Sequence, residues 1–211
     1  MSSPCLPKAT EYASACVDFF VYSRDAPGTT LRDDSELLEA HWSYMDTFAE
    51  SMIARGPTLA DDRETATGSL HVLGLPGVDA ARDFVAREPN NCAGVYADHV
   101  IWRFENLLGR TMWAFSGAAD EPRFLIIARS DRNQTRTIHP IPHGYLQPDL
   151  RARLIIYGVL STLEDAVPVG VALAVHAPDR DAAAALLVDG RTGFAVFQDV
   201  EIHNWELGGR R

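Results

Sequence analysis

Lysine is nearly absent from this chain: of its 19 lysine and arginine residues, only Lys8 is a lysine. Schiff-base chemistry would rest on a residue near the chain start and is set aside. Cysteine is scarce too. Cys5, Cys16 and Cys92 are odd in number and lack the paired spacing of zinc ligands, which argues against a disulfide framework or a metal site. Cys92 as a nucleophile stands against its plainer reading as a small loop or core residue. No apolar run approaches the ~20 residues that a membrane-spanning helix needs. Cys5, Pro7 and Glu11 fall where a signal peptide would carry its apolar core, so the expected location is the cytoplasm. A basic face is also lacking: the formal net charge of -10 opposes phosphate backbones, and nucleic acid is not an expected partner. No glycine-rich phosphate loop or dinucleotide fingerprint occurs, and no cofactor is expected.

What the chain does have is internal repetition. Phe19, Phe20, Val21, Tyr22, Ser23 and Arg24 are echoed from Phe124 to Arg129. His41, Gly56 and Gly68 share their spacing with His143, Gly158 and Gly170, and a β-rich run ending near Phe104 is echoed by one ending at Trp205. A repeat of this length indicates two copies of one fold unit in a single polypeptide. The 211 residues then divide into a tail (1–16), a first unit (17–115), a linker (116–121) and a second unit (122–211).

Residues 17–23 are β-branched and aromatic, as a central strand requires. Ala26, Pro27 and Gly28 break it. Asp33, Asp34 and Ser35 supply an N-cap cluster for a helix predicted to run to about Ala54, with Gly56 and Pro57 as its stop. Leu37, Leu38, Trp42, Met45, Phe48, Ala49, Met52 and Ile53 share one arc of that helix, and His41 falls inside it. A short extended piece through Leu59 and a polar turn over 61–67 lead to a strand over 69–75. A helix over 79–87, ended by Pro89, and a strand over 96–104 complete the unit. The order is β-α-β-β-α-β, the split arrangement of ferredoxin-like folds. The second unit reads as strand 123–129, helix 149–157 delayed by Pro148, strand 169–175, helix 180–187 and strand 193–205. His143 then sits on a loop. The expected fold class is α+β: two ferredoxin-like βαββαβ repeats packed sheet to sheet as an intramolecular dimeric α+β barrel. That is a pseudo-dimer, with further homo-oligomerisation left open.

Several features of the first unit form one pattern: the opening strand, His41 on the long helix, and Gly56-Pro57 followed by Asp61-Asp62. Gly68-Ser69 opens the next strand, and Glu88-Pro89 with Ala93-Gly94-Val95-Tyr96 precedes the last. In these residues, over about 17–113, the unit resembles the YCII-related domain family; residues 122–206 resemble it more weakly. The resemblance implies a ferredoxin-like fold that forms dimeric α+β barrels and a histidine paired with an aspartate. It also brings a characterised relative, a dehydrochlorinase acting on a chlorinated hydroxyquinol. The family pattern carries Asp-Pro where this chain has Glu88-Pro89, a departure at the place of the family's acid.

His41 is the leading catalytic candidate, because imidazole can both take and give a proton near neutrality. Asp62 or Asp61 is the expected partner that would orient it. The alternative is a core histidine satisfied by its neighbours. Ser69 offers a hydroxyl to a substrate oxygen, or simply opens a strand. Trp42 and Tyr44 flank His41 and would wall an aromatic ligand, or are plain core. Arg24 would bind a carboxylate or phenolate, or stand as a surface arginine. His71 and His99 lie on predicted strands without spaced ligand partners, so no metal is expected. In the second unit Glu164 and Asp165 follow the Asp61-Asp62 spacing, but Gly170-Val171 replaces Gly68-Ser69. One working site is therefore expected, in the first unit, with the second supplying a wall. The leading function is a cofactor-independent enzyme acting on a small aromatic or polyketide-like molecule by elimination, isomerisation or decarboxylation. The alternatives are a cofactor-free monooxygenase and a non-catalytic small-molecule-binding or accessory protein.

Overall fold

The β-branched and aromatic runs of the chain become eight antiparallel strands among the described residues of a computed structural model, which are 16–117, 121–130, 146–188 and 197–209. Cys5, Lys8 and most of the expected tail lie outside these residues, as do His139, His143 and positions 118–120 of the expected linker. The first four strands are β1 (Val17–Asp25), β2 (Met52–Leu59), β3 (Ala66–Leu75) and β4 (Tyr96–Asn106). The others are β5 (Arg123–Arg129), β6 (Leu154–Ser161), β7 (Pro168–His176) and β8 (Asp199–Trp205). The helices are α1 (Ser35–Asp46), α2 (Val78–Arg87), α3 (Pro89–Cys92), α4 (Pro148–Arg153) and α5 (Arg180–Val188). None of them is long and apolar enough to cross a membrane.

The strands close into a barrel in the order β1-β3-β2-β8-β5-β7-β6-β4. Within each half the spatial order is fourth, first, third, second strand. The halves do more than face each other, because their edges hydrogen-bond. Thr58 and Leu59 of β2 pair with Trp205 and Asn204 of β8, and β4 pairs with β6 from Arg103–Ser161 to Asn106–Gly158. Closure gives each strand a hydrogen-bonded neighbour on both sides, over short stretches at the two seams.

Side-chain alternation sorts the barrel into layers. Phe20, Tyr22, Leu70, Val72, Leu125 and Ile127 fill the interior with their neighbours. The intervening Phe19, Val21 and Leu73 pack under α1 and α2 through Met45, Ala81, Phe84 and Val85. Phe124, Ile126, Leu173 and Val175 pack under α4 and α5 through Leu150, Ala183 and Leu186. The barrel interior is a packed core, so polar side chains facing α1 and α2 belong to a separate layer.

Two predicted helices are shorter than the sequence suggests. Asp34 caps α1 by accepting from the Glu36 and Leu37 N–H groups, as its place before the helix implies. The helix nevertheless ends at Asp46 instead of near Ala54, and Met52 already pairs with Leu73. Helix 149–157 likewise ends at Arg153, and Leu154–Ser161 becomes β6, paired with β7. In both places cross-strand bonding outweighs a local helical pattern. The last strand begins at Asp199; positions 193–196 of its predicted span lie outside the described residues.

Gly56, expected to stop a helix, lies inside β2 at a seam between the halves. A Cβ there would overlap the Glu206 carbonyl oxygen. Gly158 holds the corresponding place in β6, where a Cβ would overlap the Glu105 carbonyl oxygen and the Phe104 ring. Gly68 and Gly170 stand opposite Arg24 and Arg129, where a Cβ would strike the carbonyls of Ser23 and Ala128. The repeated glycines mark repeated close approaches of backbone.

Glu201 of β8 ties the halves at another point. Its carboxylate accepts from Arg24 of β1 at 2.8 Å and from Arg129 of β5 at 3.0 Å, and lies 3.2 Å from His203 Nε2. The His203 bond and the Arg24 guanidinium hold its carboxyl down at about 2 against an ordinary 4.5. Because the folded value is the lower one, this contribution is complete above pH 4.5 and disappears as pH falls through about 2. Chemical denaturation across that window should show a steeper loss of stability for the native chain than for Glu201→Gln. Independently, Gly158→Ala should cost ~1–3 kcal/mol by overpacking the seam, read as a lowered Tm.

Candidate active site

The helix-facing side of β3 carries Ser69 and His71, two residues apart and both buried. Across the ladder Pro57 pairs with Ser69 and Arg55 with His71, so the same face of β2 presents Arg55. Helix α1 lays His41 over this surface, with its ring 5.7 Å from that of His71. On the far side of His41 stands Glu88. It is the N-cap of α3, whose first residue, Pro89, has no N–H to satisfy. The Glu88 carboxylate accepts from Asn90 N at 3.1 Å and from Asn91 N at 2.7 Å, and its Oε1 lies 2.6 Å from His41 Nδ1.

A carboxylate already taking two backbone N–H bonds accepts a third from His41, which places the proton on Nδ1. Nε2 is then the ring nitrogen that carries the lone pair. Burial drives the His71 pKa well below its ordinary 6.5, and nearby His41, Arg55 and Arg32 push it the same way. His71 is therefore neutral at neutral pH. Tyr96, behind Glu88, is pushed up to about 12 by burial and then by the Glu88 charge, and remains a phenol. Arg32 is held by Asp25 and donates to Ser69 Oγ at 3.1 Å.

These groups surround a cavity of about 270 Å³ between α1 and the outer face of the first-half sheet. Trp42 and Leu38 of α1 form one wall. Leu207, Gly208 and Gly209, which follow β8, form the other. The Gly208 N–H bonds to the Arg55 carbonyl at 2.9 Å and so fixes that segment on β2. Arg32, Arg55, His41, His71 and Ser69 line the cavity, and among the described residues no aspartate or glutamate does. Such a lining favours an oxygen that carries or gains negative charge. No three His, Cys, Asp or Glu side chains among the described residues gather as metal ligands.

Of the residues singled out in the sequence, His41, Trp42 and Ser69 meet at this cavity. Asp61 and Asp62 do not pair with His41. Asp62 is exposed and caps a turn, accepting from the Thr65 hydroxyl and from the Glu64 and Thr65 N–H groups, which hold its carboxyl below the usual range. Asp61 is exposed and faces Arg180 at 3.3 Å. Glu88 is the acid on His41 instead, and its extra methylene still lets it cap α3. Arg24 is engaged by Glu201 and Asp98 at the seam. Tyr44 donates its hydroxyl to the Phe84 carbonyl at 2.9 Å and packs on Phe48 and Phe84. The sequence reading missed Glu88, His71 and Arg55. An acid before Pro89 is an N-cap signature, and the two-residue step from Ser69 to His71 is a strand-face signature.

Residues 17–105 match the YCII-related domain family. No curated protein matches the chain. Among solved structures, the chain is 28% identical to a 5-chloro-2-hydroxyhydroquinone dehydrochlorinase from Burkholderia phenoliruptrix, determined with 2,5-dihydroxybenzoquinone. That match covers 42% of this chain and 94% of the other, with a TM-score of 0.38. A candidate monooxygenase from Lactobacillus acidophilus is 7% identical over 91% of this chain and 93% of its own, at a TM-score of 0.51. A candidate chlorite dismutase is 12% identical over 91% and 95%, at 0.53. The last two likenesses are of fold: mixed α+β with an antiparallel sheet.

The neutral state of His71 has a consequence for acid stability. Below pH 6.5 the unfolded chain binds a proton at this histidine that the folded chain refuses, so stability falls as pH drops. Replacing it by leucine, the residue at the corresponding position 173 of β7, should remove that component. Thermal unfolding at pH 7.5 and 5.5 should show a smaller acid-induced drop in Tm for His71→Leu than for the native chain.

Proposed function

We propose that this chain is a small-molecule enzyme in which His41 is the general base and acid and Glu88 orients it. The observation that carries this reading is the 2.6 Å contact between His41 Nδ1 and Glu88 Oε1 at the edge of a cavity lined by hydrogen-bond donors. A substrate carbon acid next to a carbonyl, or a phenol, gives its proton to His41 Nε2. The Glu88 carboxylate then stabilises the imidazolium, while the substrate oxygen takes up negative charge facing Arg55 and Ser69. Return of the proton to another atom gives isomerisation. Departure of an anionic leaving group with its bonding electrons gives elimination, the proton passing from His41 to solvent. In decarboxylation the carbon–carboxylate bond breaks in place of the carbon–hydrogen bond, and protonated His41 gives its proton to that carbon. The transfer itself asks for no cofactor. The YCII-related match over residues 17–105 agrees with a site confined to the first half.

The chain reads as a tandem pair of such units, the second without a site. In support, both halves have the same strand order and the same glycine seams. Where the first half has Arg55, Ser69 and His71, the second has Tyr157, Val171 and Leu173, all packed in its apolar core.

In a folded His41→Gln variant, turnover of a substrate identified from a panel of hydroxyquinols and 1,3-dicarbonyls should fall ~10²–10⁴-fold. Glu88→Gln should fall less, because an amide oxygen still accepts from Nδ1 but offsets no positive charge. Asp62→Asn should turn over as the native chain does. Product analysis by mass spectrometry checks all three, and unchanged turnover in His41→Gln overturns the reading.

A further inference from the structure

The cavity is graded from apolar at its rim to polar at its floor. Ser69, His71 and Arg55 at its floor are 4, 3 and 6% exposed, whereas Leu38 and Leu207 at its rim are 37 and 39% exposed. The carboxylates that accompany the floor's donors stand behind them. Asp25 holds Arg32, Glu88 holds His41, and Asp46 lies 3.5 Å from Arg55, but none of the three lines the cavity. The volume of about 270 Å³ is below the ~300–1,000 Å³ of most ligand sites and suits one ring. A longer ligand that extends toward the rim meets the two leucines there. Gly208 and Gly209 add no side chain there, because a Cβ would crowd Gly56 or strike the Arg55 guanidinium. Leu207 is thus the last side chain that the second half offers to the rim among the described residues.

We propose that the cavity takes a single-ring acid carrying an apolar substituent. The acid group, phenolic, enolic or carboxylic, lies on Arg55 and Ser69, and the substituent passes out between Leu38 and Leu207. Leu207 is the specificity-determining residue for that substituent. The inference rests on the reading of this cavity as a small-molecule site, and it concerns binding only.

Calorimetric titration of the full chain with benzoate, 4-propylbenzoate and 4-propylbenzamide tests it. The propyl acid should bind at least tenfold more tightly than either benzoate or the neutral amide. Leu207→Ala should reduce the propyl advantage to less than threefold and leave benzoate within twofold of its native affinity. Arg55→Met should abolish the preference for acid over amide; if that variant does not fold, the native comparison of acid with amide decides the point. Equal binding of acid and amide, no gain from the propyl group, or an undiminished gain in Leu207→Ala overturns the proposal. Loss of this binding pattern with His41-dependent turnover intact would overturn the ligand assignment alone. The reverse outcome would overturn the acid–base reading alone.

Discussion

The structure depends on covering the edges of two small sheets. A four-stranded sheet in the order fourth, first, third, second exposes its fourth and second strands, each with a row of unpaired N–H and C=O groups. In this chain each half covers the other's edges, β8 on β2 and β6 on β4. The seams need backbones to approach more closely than a side chain allows, and Gly56 and Gly158 supply that approach. Beyond β8 the bonding continues: Glu206 N to Pro57 O at 3.2 Å, and Gly208 N to Arg55 O at 2.9 Å. Trp205 Nε1 adds a bond to Gly56 O at 3.3 Å. These bonds lay residues 207–209 along the cavity. The cavity over the first-half sheet is thereby walled in part by residues of the second half.

Closure also decides where chemistry can sit. Interior side chains of both sheets interdigitate from Phe20 and Tyr22 to Leu125 and Ile127, so the interior is occupied. The outer face of the first-half sheet is covered by helices only in part, and there the polar residues of β2 and β3 meet α1. Burial makes each group do one thing. His71 is kept uncharged by desolvation, and Arg32 is tied to Asp25. His41 lies within 2.6 Å of the Glu88 carboxylate through Nδ1 and also lines the cavity. The acids lie behind the donors, so hydrogen-bond donors line the cavity although the chain as a whole is acidic.

Much of this was legible in the sequence where local chemistry and tertiary pairing agree. The central strands, the Asp34 cap, helix α2 and the position of His41 on α1 all follow from residue pattern. The reading failed where the two disagree. Met52 and Ile53 continue the apolar arc of α1, yet their backbone is taken by β3, and the same competition turns the residues after Arg153 into β6. Gly56-Pro57 looks like a helix stop because the strand that crosses it lies about 150 residues away along the chain. Asp61 and Asp62 stand out as partners for His41 because they occupy the turn after Gly56-Pro57. The bonds from Thr65 and Glu64 to Asp62 are those of an ordinary turn-forming aspartate. Glu88 departs from the family's aspartate, yet capping α3 and reaching His41 require only a carboxylate.

The asymmetry of the halves follows from the same physics. A buried polar group is tolerated only with hydrogen-bond partners, and a cavity forfeits the contacts that would fill it. The first half retains both, around His71, Arg55 and the space above them. The second half has apolar or aromatic residues at the matching places, with Leu173 and Val171 fully buried and Tyr157 beside them in one continuous core. The edges bind both halves alike, since β6 and β8 are the partners of β4 and β2. The second half joins a continuous apolar core under α4 and α5 to a glycine at its seam. Gly158 and Gly170 serve close approaches of backbone and Val171 and Leu173 serve the core, so the same two strands meet both constraints.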